Sequence, residues 1–185
     1  MSAVKNKQDL TERLLSGELV YDGALLKVRR DVVRLPDGRE ASREYVRHPG
    51  AVAVVALFPD GRVLLERQYR HPLAREFLEL PAGKLEPGEP HLETAKRELL
   101  EETGYAAAEW TRLGLIHVSV GCSDEAIELW LARGLEQRGA RPDADEFLET
   151  FVVALEEAVA MVRDGRITDA KSVAGLLWMR AFGAS

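Results

Sequence analysis

The feature that most constrains how this chain folds is an acidic segment, GKLEPGEPHLETAKRELLEETGY, at residues 83–105. Pro90 can begin a helix at its first position, and Gly104 can end that helix in a left-handed conformation. Between them, apolar side chains recur at spacings of three and four, at Leu92, Ala95 and Leu99. This spacing predicts an amphipathic helix with one face toward the core. The same segment carries six carboxylates: Glu86, Glu89, Glu93, Glu98, Glu101 and Glu102.

Three of these carboxylates, Glu98, Glu101 and Glu102, fall within roughly 100° of arc on one side of the predicted helix. Like charges at this spacing repel one another, so the cluster calls for a compensating cation. Carboxylate oxygens are ligands that Mg²⁺ and Mn²⁺ prefer, and either ion can also bind a phosphate. Arg97 precedes Glu101 by four residues and is placed to orient that carboxylate. The alternative, which spacing leaves open, is a solvated acidic helix face.

Around this helix, short apolar runs alternate with turn residues. The run AVAVVALF at 51–58 predicts a buried strand, and the PDG turn at 59–61 leads into a second strand at 62–70. The remaining predicted elements are strands at 76–83, 109–118 and 126–133, a polar loop at 138–146, and helices at about 154–163 and 169–182. The pattern predicts an α+β fold in which a mixed β-sheet is flanked by helices.

The N-terminal part of the chain has a different character. Residues 1–16 are polar, and the turn signals YDG at 21–23 and PDG at 36–38 separate β-rich runs that end near Pro49. We therefore expect a small antiparallel β unit over residues 1–49 and a larger domain over residues 50–185.

Composition narrows the classes of function. The net charge is −6 at pH 7, so the chain has no overall basic field with which to hold nucleic acid. Cys122 is its one cysteine, which rules out a disulfide within the chain and fits a reducing cytoplasm. The N-terminus lacks the apolar core of a signal peptide, and the run at 51–58 is too short to span a bilayer. We expect a cytoplasmic protein that binds neither nucleic acid nor membrane.

The fixed positions of the acidic segment resemble the Nudix box, G-x5-E-x7-R-E-U-x-E-E-x-G-U, in which U is aliphatic. They are filled by Gly83, Glu89, Arg97, Glu98, Leu99, Glu101, Glu102 and Gly104, with Tyr105 at the last U position. Other runs are similar to bacterial ADP-ribose pyrophosphatases: VRHPGAVAVVAL at 46–57, RQYRHP at 67–72, EFLELPAGKLEPGE at 76–89, SDEAIELWLA at 123–132 and the tail GRITDAKSVAGLLWM. The resemblance extends from about Leu19 onward and implies the Nudix fold.

This resemblance implies hydrolysis of the diphosphate bond of ADP-ribose or a related nucleoside diphosphate sugar, giving AMP and ribose 5-phosphate from ADP-ribose. Hydrolysis of GDP-mannose or another nucleoside diphosphate sugar is an alternative. An alternative of another class is a non-catalytic ADP-ribose-binding sensor, although the complete set of box acids favours the enzyme. The resemblance also implies a homodimer whose subunits exchange the N-terminal β unit.

By the same resemblance, the ligands of Mg²⁺, or of Mn²⁺ in its place, are the carboxylates of Glu98, Glu101 and Glu102 and the main-chain carbonyl of Ala82. Glu101 is also assigned a catalytic role, together with Arg97.

The resemblance places the base that activates water on a glutamate of a late loop. The run RPDADEFLE at 141–149 offers four acids, Asp143, Asp145, Glu146 and Glu149, of which Glu146 matches best. Two alternatives are open: the loop is merely polar and solvated, or the box glutamates and the metal activate water without it.

Three residues are expected to bind the substrate: Arg47, Arg70 and Glu79. One departure from the family leaves the sugar undetermined. Val120 occupies the loop after the box at a position where these enzymes often carry proline in a Ser-Pro-Gly context.

Overall fold

The computed structural model describes residues 9–139 and 147–183 of the 185-residue chain. The chain divides into two compact units. The first comprises residues 1–48 together with 119–125, and the second comprises residues 49–118 together with 126–185. Strands and helices are both present, as the α+β prediction requires.

The first unit is built on a three-stranded antiparallel sheet in the order β1-β2-β3. Its strands are β1 (Arg13–Asp22), β2 (Lys27–Arg34) and β3 (Glu40–Arg47). Strand β1 begins at Arg13, inside the polar segment 1–16. Its polar residues pair with β2, where Arg13 lies opposite Arg34, because backbone hydrogen bonds do not require apolar side chains. Every residue of β1 is exposed within the single chain.

The second unit contains two sheets. Strands β10, β5 and β6 form one sheet in that order, and β7, β4, β9 and β8 form the other. The strands are β4 (Ala51–Ala56), β5 (Arg62–Arg70), β6 (Arg75–Glu79), β7 (Ala82–Lys84), β8 (Tyr105–His117), β9 (Ala126–Gln137) and β10 (Leu148–Ala154). The helices are α1 (His91–Thr103), α2 (Leu155–Arg163) and α3 (Ala170–Phe182), with one 3₁₀ turn at His71–Leu73.

Strand β4 lies at the centre of its sheet, between β7 and β9, and all six of its residues are buried. It runs parallel to β9 and antiparallel to β7. A strand covered on both faces reads as a continuous apolar run, and AVAVVA is one. The apolar side of α1, with Ala95 and Leu99, packs on this strand through Val52 and Val54. The core thus fixes the helix that carries the acidic residues.

The predicted single strand at 76–83 is in fact two strands in different sheets. Strand β6 ends at Glu79 and pairs with β5, whereas β7 begins at Ala82 and pairs with β4. Pro81 lies between them, and a proline has no N–H with which to continue a ladder. Because of this break, Glu79 belongs to the first sheet, whereas the backbone from Ala82 to Lys84 pairs within the second.

Strand β10 was not predicted from the sequence. It pairs with β5 over seven residues, from Leu148 opposite Gln68 to Ala154 opposite Arg62. Its burial follows no clean alternation, so the strand signal of period two is absent.

Among the described residues, no helix is both long enough and apolar enough to cross a bilayer.

Candidate active site

The acidic side chains of α1 lie against the short strand β7. Gly83 makes this approach possible, because a Cβ atom added there would stand 1.9 Å from the carboxyl carbon of Glu98. No side chain other than hydrogen fits at that position without moving Glu98. Helix α1 ends at Gly104, whose φ of 75° is the left-handed conformation expected of a glycine cap.

Arg97 joins three of the carboxylates. Its Nη1 donates to Glu98 at 2.9 Å and to Glu101 at 3.0 Å. Its Nε and Nη2 donate to the two oxygens of Glu89, each at 3.0 Å. These bonds hold the pKa of Glu89 at about 2, and Glu89 in turn raises the pKa of Arg97. One guanidinium therefore holds three acidic side chains close together.

Glu102 is held differently and is buried, with 5% of its surface exposed. Its Oε2 accepts a hydrogen bond of 3.0 Å from the backbone N–H of Ala82. The sequence put Glu98, Glu101 and Glu102 on one polar helix face. In the structure, that face turns from partly exposed at Glu101 to buried at Glu102, so it is not a uniformly solvated surface.

Within residues 9–139 and 147–183, no three acidic, histidine or cysteine side chains are already gathered as a cation site. The side chains nevertheless suit a hard divalent cation, for two reasons. The atoms with which Glu98 and Glu102 could bind a metal beside β7 are carboxylate oxygens, the ligand atoms that Mg²⁺ and Mn²⁺ prefer. In addition, a buried carboxylate oxygen beside Glu102, the Oε1 of Glu66, has no hydrogen-bond partner in the part of the chain that the structure describes.

Glu66 was missed by sequence reasoning. It follows three buried apolar residues on β5 and is itself only 2% exposed. Its carboxyl group lies within hydrogen-bonding reach of the Glu102 carboxyl. Burial raises the pKa of Glu66 to about 7, against a smaller opposing effect of the Lys171 ammonium. The signal that was available is an acidic residue where the pattern RVLLERQYR calls for another core side chain.

Arg70 and Glu79, both predicted to bind substrate, are brought together as an ion pair. Arg70 donates two hydrogen bonds of 2.8 Å to the two oxygens of Glu79, and Lys171 also bonds Glu79. Burial opposes ionisation of Glu79, but the bonds from Arg70 and Lys171 outweigh it and lower the pKa. The Arg70 side chain is 44% exposed while Glu79 is buried, so Glu79 holds Arg70 in position and Arg70 faces outward.

The remaining predicted site residues are in other parts of the chain. Arg47 belongs to the N-terminal unit and forms an ion pair of 2.9 Å with Asp124. Val120 belongs to the same unit and is 82% exposed. Glu146, the predicted base, lies outside the described residues.

Comparison with known proteins finds two family models, which meet between residues 46 and 47. The family model of the NUDIX domain matches residues 47–176, and that of the nucleoside diphosphate sugar hydrolase N-terminal domain matches residues 12–46.

Two curated relatives match over nearly their full lengths. A methanol dehydrogenase activator of Bacillus methanolicus is 40% identical over 91% of this chain and 92% of its own. An ADP-ribose pyrophosphatase of Bacillus subtilis is 38% identical over 94% of this chain and 95% of its own. A solved structure described as an ADP compounds hydrolase superposes with a TM-score of 0.82 over 94% of this chain and 95% of that one. Its 24% identity makes this likeness one of fold.

The raised pKa of Glu66 predicts how stability depends on pH in metal-free buffer. In the unfolded chain the Glu66 carboxyl group titrates near 4.5, so the folded chain binds its proton more tightly. The stabilisation that this bound proton gives the folded state is therefore lost as pH rises toward 7. From pH 5 to pH 8, the parent should lose up to about 3 kcal/mol of unfolding free energy relative to Glu66→Gln, at about 1.4 kcal/mol per tenfold change in proton affinity. Urea denaturation in EDTA measures this difference.

The exposed Glu76→Gln is the matched control, since Glu76 lies on the neighbouring strand β6 and pairs with Arg67 at the surface. The difference in unfolding free energy between Glu76→Gln and the parent should stay the same across this pH range. A parent-minus-Glu66→Gln difference that does not change with pH would contradict the assignment.

Proposed function

This chain belongs to the NUDIX domain family, and on that premise we propose that it hydrolyses the diphosphate bond of ADP-ribose or a closely related nucleoside diphosphate sugar. The observation that carries the proposal is the arrangement around Arg97, which holds Glu89, Glu98 and Glu101 together beside the buried Glu102. The 38% identical relative named ADP-ribose pyrophosphatase supports ADP-ribose as the substrate.

We assign the cation site to the carboxylates of Glu98, Glu101 and Glu102 and the main-chain carbonyl of Ala82. A bound Mg²⁺ or Mn²⁺ offsets the charge of the diphosphate and polarises its P–O bonds. Arg97 serves catalysis by fixing the carboxylates of Glu98 and Glu101, so that little reorganisation is needed when the substrate arrives.

The substrate side of the site is assigned to Arg70. Its guanidinium can donate to diphosphate oxygens or to ribose, since the planar guanidinium can donate two hydrogen bonds to a phosphate group at once. Glu79 acts through Arg70, because its carboxylate is already bonded by Arg70 and Lys171. Arg47 is the third residue that we assign to substrate binding.

In the proposed reaction, a water oxygen forms a bond to one phosphorus while the bond from that phosphorus to the bridging oxygen breaks. With ADP-ribose, the products are AMP and ribose 5-phosphate. Glu146 accepts the proton of the attacking water, as the similarity of its loop to the pyrophosphatases implies. The same chemistry would cleave GDP-mannose, so the sugar is decided by the experiment below.

A divalent-cation ligand should be indispensable to turnover, so Glu102→Gln is predicted to lower kcat by roughly 10²- to 10⁴-fold, a loss of several kcal/mol of transition-state stabilisation. Glu93→Gln is the matched control, because Glu93 is exposed on the same helix and pairs with Lys96. Parent and variants are assayed with ADP-ribose, GDP-mannose and other nucleoside diphosphate sugars, each with Mg²⁺ or Mn²⁺, and products are identified by mass.

Near-normal turnover by Glu102→Gln would remove it from the cation site. A parent that binds ADP-ribose but hydrolyses no member of the panel would instead identify the sensor alternative.

The base assignment makes a separate prediction. Glu146→Gln should lower kcat by roughly 10²- to 10⁴-fold, the usual contribution of a general base, while Mn²⁺ affinity is retained. Glu149→Gln should have little effect, because Glu149 lies on β10 with its carboxylate bonded to Arg67 at 2.6 Å. Turnover that survives Glu146→Gln and fails in Glu149→Gln would move the base to Glu149.

We also propose a homodimer that exchanges the N-terminal unit. Strand β1 and the turn after it expose large apolar side chains within a single chain: Leu14, Leu15, Leu19, Val20, Tyr21, Leu25 and Leu26. Contiguous exposed apolar surface of this kind marks an association site. In an exchanged dimer, Arg47 would serve the partner's substrate.

Sedimentation equilibrium should therefore give a mass of about twice the 20.6 kDa of one chain. Leu19→Gln should shift this mass toward that of the monomer, whereas Leu177→Gln, at a partly exposed position on α3, should leave it unchanged. A monomeric parent would exclude the exchange.

A further inference from the structure

The group least accounted for by the proposed site is the carboxylate of Glu66. A carboxylate inside a protein is costly unless cations or hydrogen bonds compensate it. Glu66 is 2% exposed, and its Oε1 has no hydrogen-bond partner within residues 9–139 and 147–183. Such an orphaned group in an otherwise well-bonded region calls for a partner that the protein atoms do not supply.

The nearby cations are already bound to other acids. Lys171 bonds Glu79 and, at 3.0 Å, Asp169. Arg70 gives two hydrogen bonds of 2.8 Å to Glu79. Glu79 lies directly opposite Glu66 in the pairing of β5 with β6, so the two side chains share a face of the sheet. The cations on this face are thus directed to Glu79 and Asp169.

The neighbour that Glu66 does reach is another carboxylate. Its carboxyl group lies within hydrogen-bonding reach of Glu102, whose Oε2 is anchored by the backbone N–H of Ala82. Two facing carboxyl groups at low exposure need either a shared proton or a cation between them. Their oxygens are also the donor type that a hard divalent cation selects.

We propose that Glu66 is a further residue of the divalent-cation site, which extends that site from helix α1 to strand β5. The inference rests on the proposed function, since it takes Glu102 as a cation ligand. Glu66 supplies an additional oxygen donor, either to the cation or to a water molecule on it. Glu66 thus meets Glu102 of α1 and shares a sheet face with Glu79, the partner of the substrate arginine Arg70.

Direct titration of the full chain with Mn²⁺ tests this without any assay of turnover. Calorimetry, or the electron paramagnetic resonance of free Mn²⁺, gives the Kd of the parent, of Glu66→Gln and of the control Glu76→Gln. Loss of one donor should raise Kd roughly 10- to 100-fold in Glu66→Gln, as loss of ligands or their supporting groups does elsewhere. Glu76→Gln should stay within about twofold of the parent, because Glu76 is exposed and pairs with Arg67.

The second measurement is the rise in Tm that one fixed concentration of Mn²⁺ causes in each protein. A residue with only a structural role would shift the Tm values with and without Mn²⁺ alike, whereas a cation ligand selectively reduces the rise at a fixed Mn²⁺ concentration. Equal Mn²⁺ affinity and an equal rise in parent and Glu66→Gln would overturn the role of Glu66 alone. A parent that binds no Mn²⁺ would overturn the proposed cation site together with this inference.

Discussion

The site depends above all on the bonding of Arg97 to Glu89, which precedes α1, and to Glu98 and Glu101 on that helix. Without a cation, Glu89, Glu98 and Glu101 would repel one another and turn toward water. The guanidinium donates to all three at 2.9–3.0 Å, and these bonds keep the three carboxylates close together. This pairing allows a dense negative cluster to form in the folded chain before any ligand is bound. The core contact of Ala95 and Leu99 with β4 then holds the helix above β7.

A second balance of charge operates beneath that helix. Glu79 is buried, yet Arg70 and Lys171 keep it ionised. Glu66 lies directly opposite on β5, where the Lys171 ammonium acts on it less strongly than burial does, and its carboxyl group faces Glu102. The two neighbouring buried glutamates therefore have different roles. Glu79 positions Arg70, whereas Glu66 is proposed to complete its bonding with a divalent cation. The break at Pro81 supports both arrangements, because it ends β6 after Glu79 and presents the backbone of β7 to α1.

Much of this was predictable from local patterns. The helix over the box, its end at Gly104 and the strand at 62–70 follow from spacing and from turn residues, and the structure contains them. The nearness of Arg97 to Glu101 also follows from a separation of four residues on a helix. Strand β10 was not predicted, since its seven residues have no regular alternation and are recognised only by their pairing with β5. The bond between Lys171 and Glu79 joins residues 92 positions apart, which no local pattern encodes.

The sequence by itself determined the motif of acids at fixed spacing, the elements that carry it and the family to which the chain belongs. These are properties of residue order along a single helix and of the apolar period beside it. The tertiary structure decided which of those acids are buried, which of them Arg97 binds, and that Glu66 meets Glu102 from strand β5. Burial and pairing depend on distances between segments far apart in the chain. They exist only after β5, β6 and β7 have been brought beneath α1.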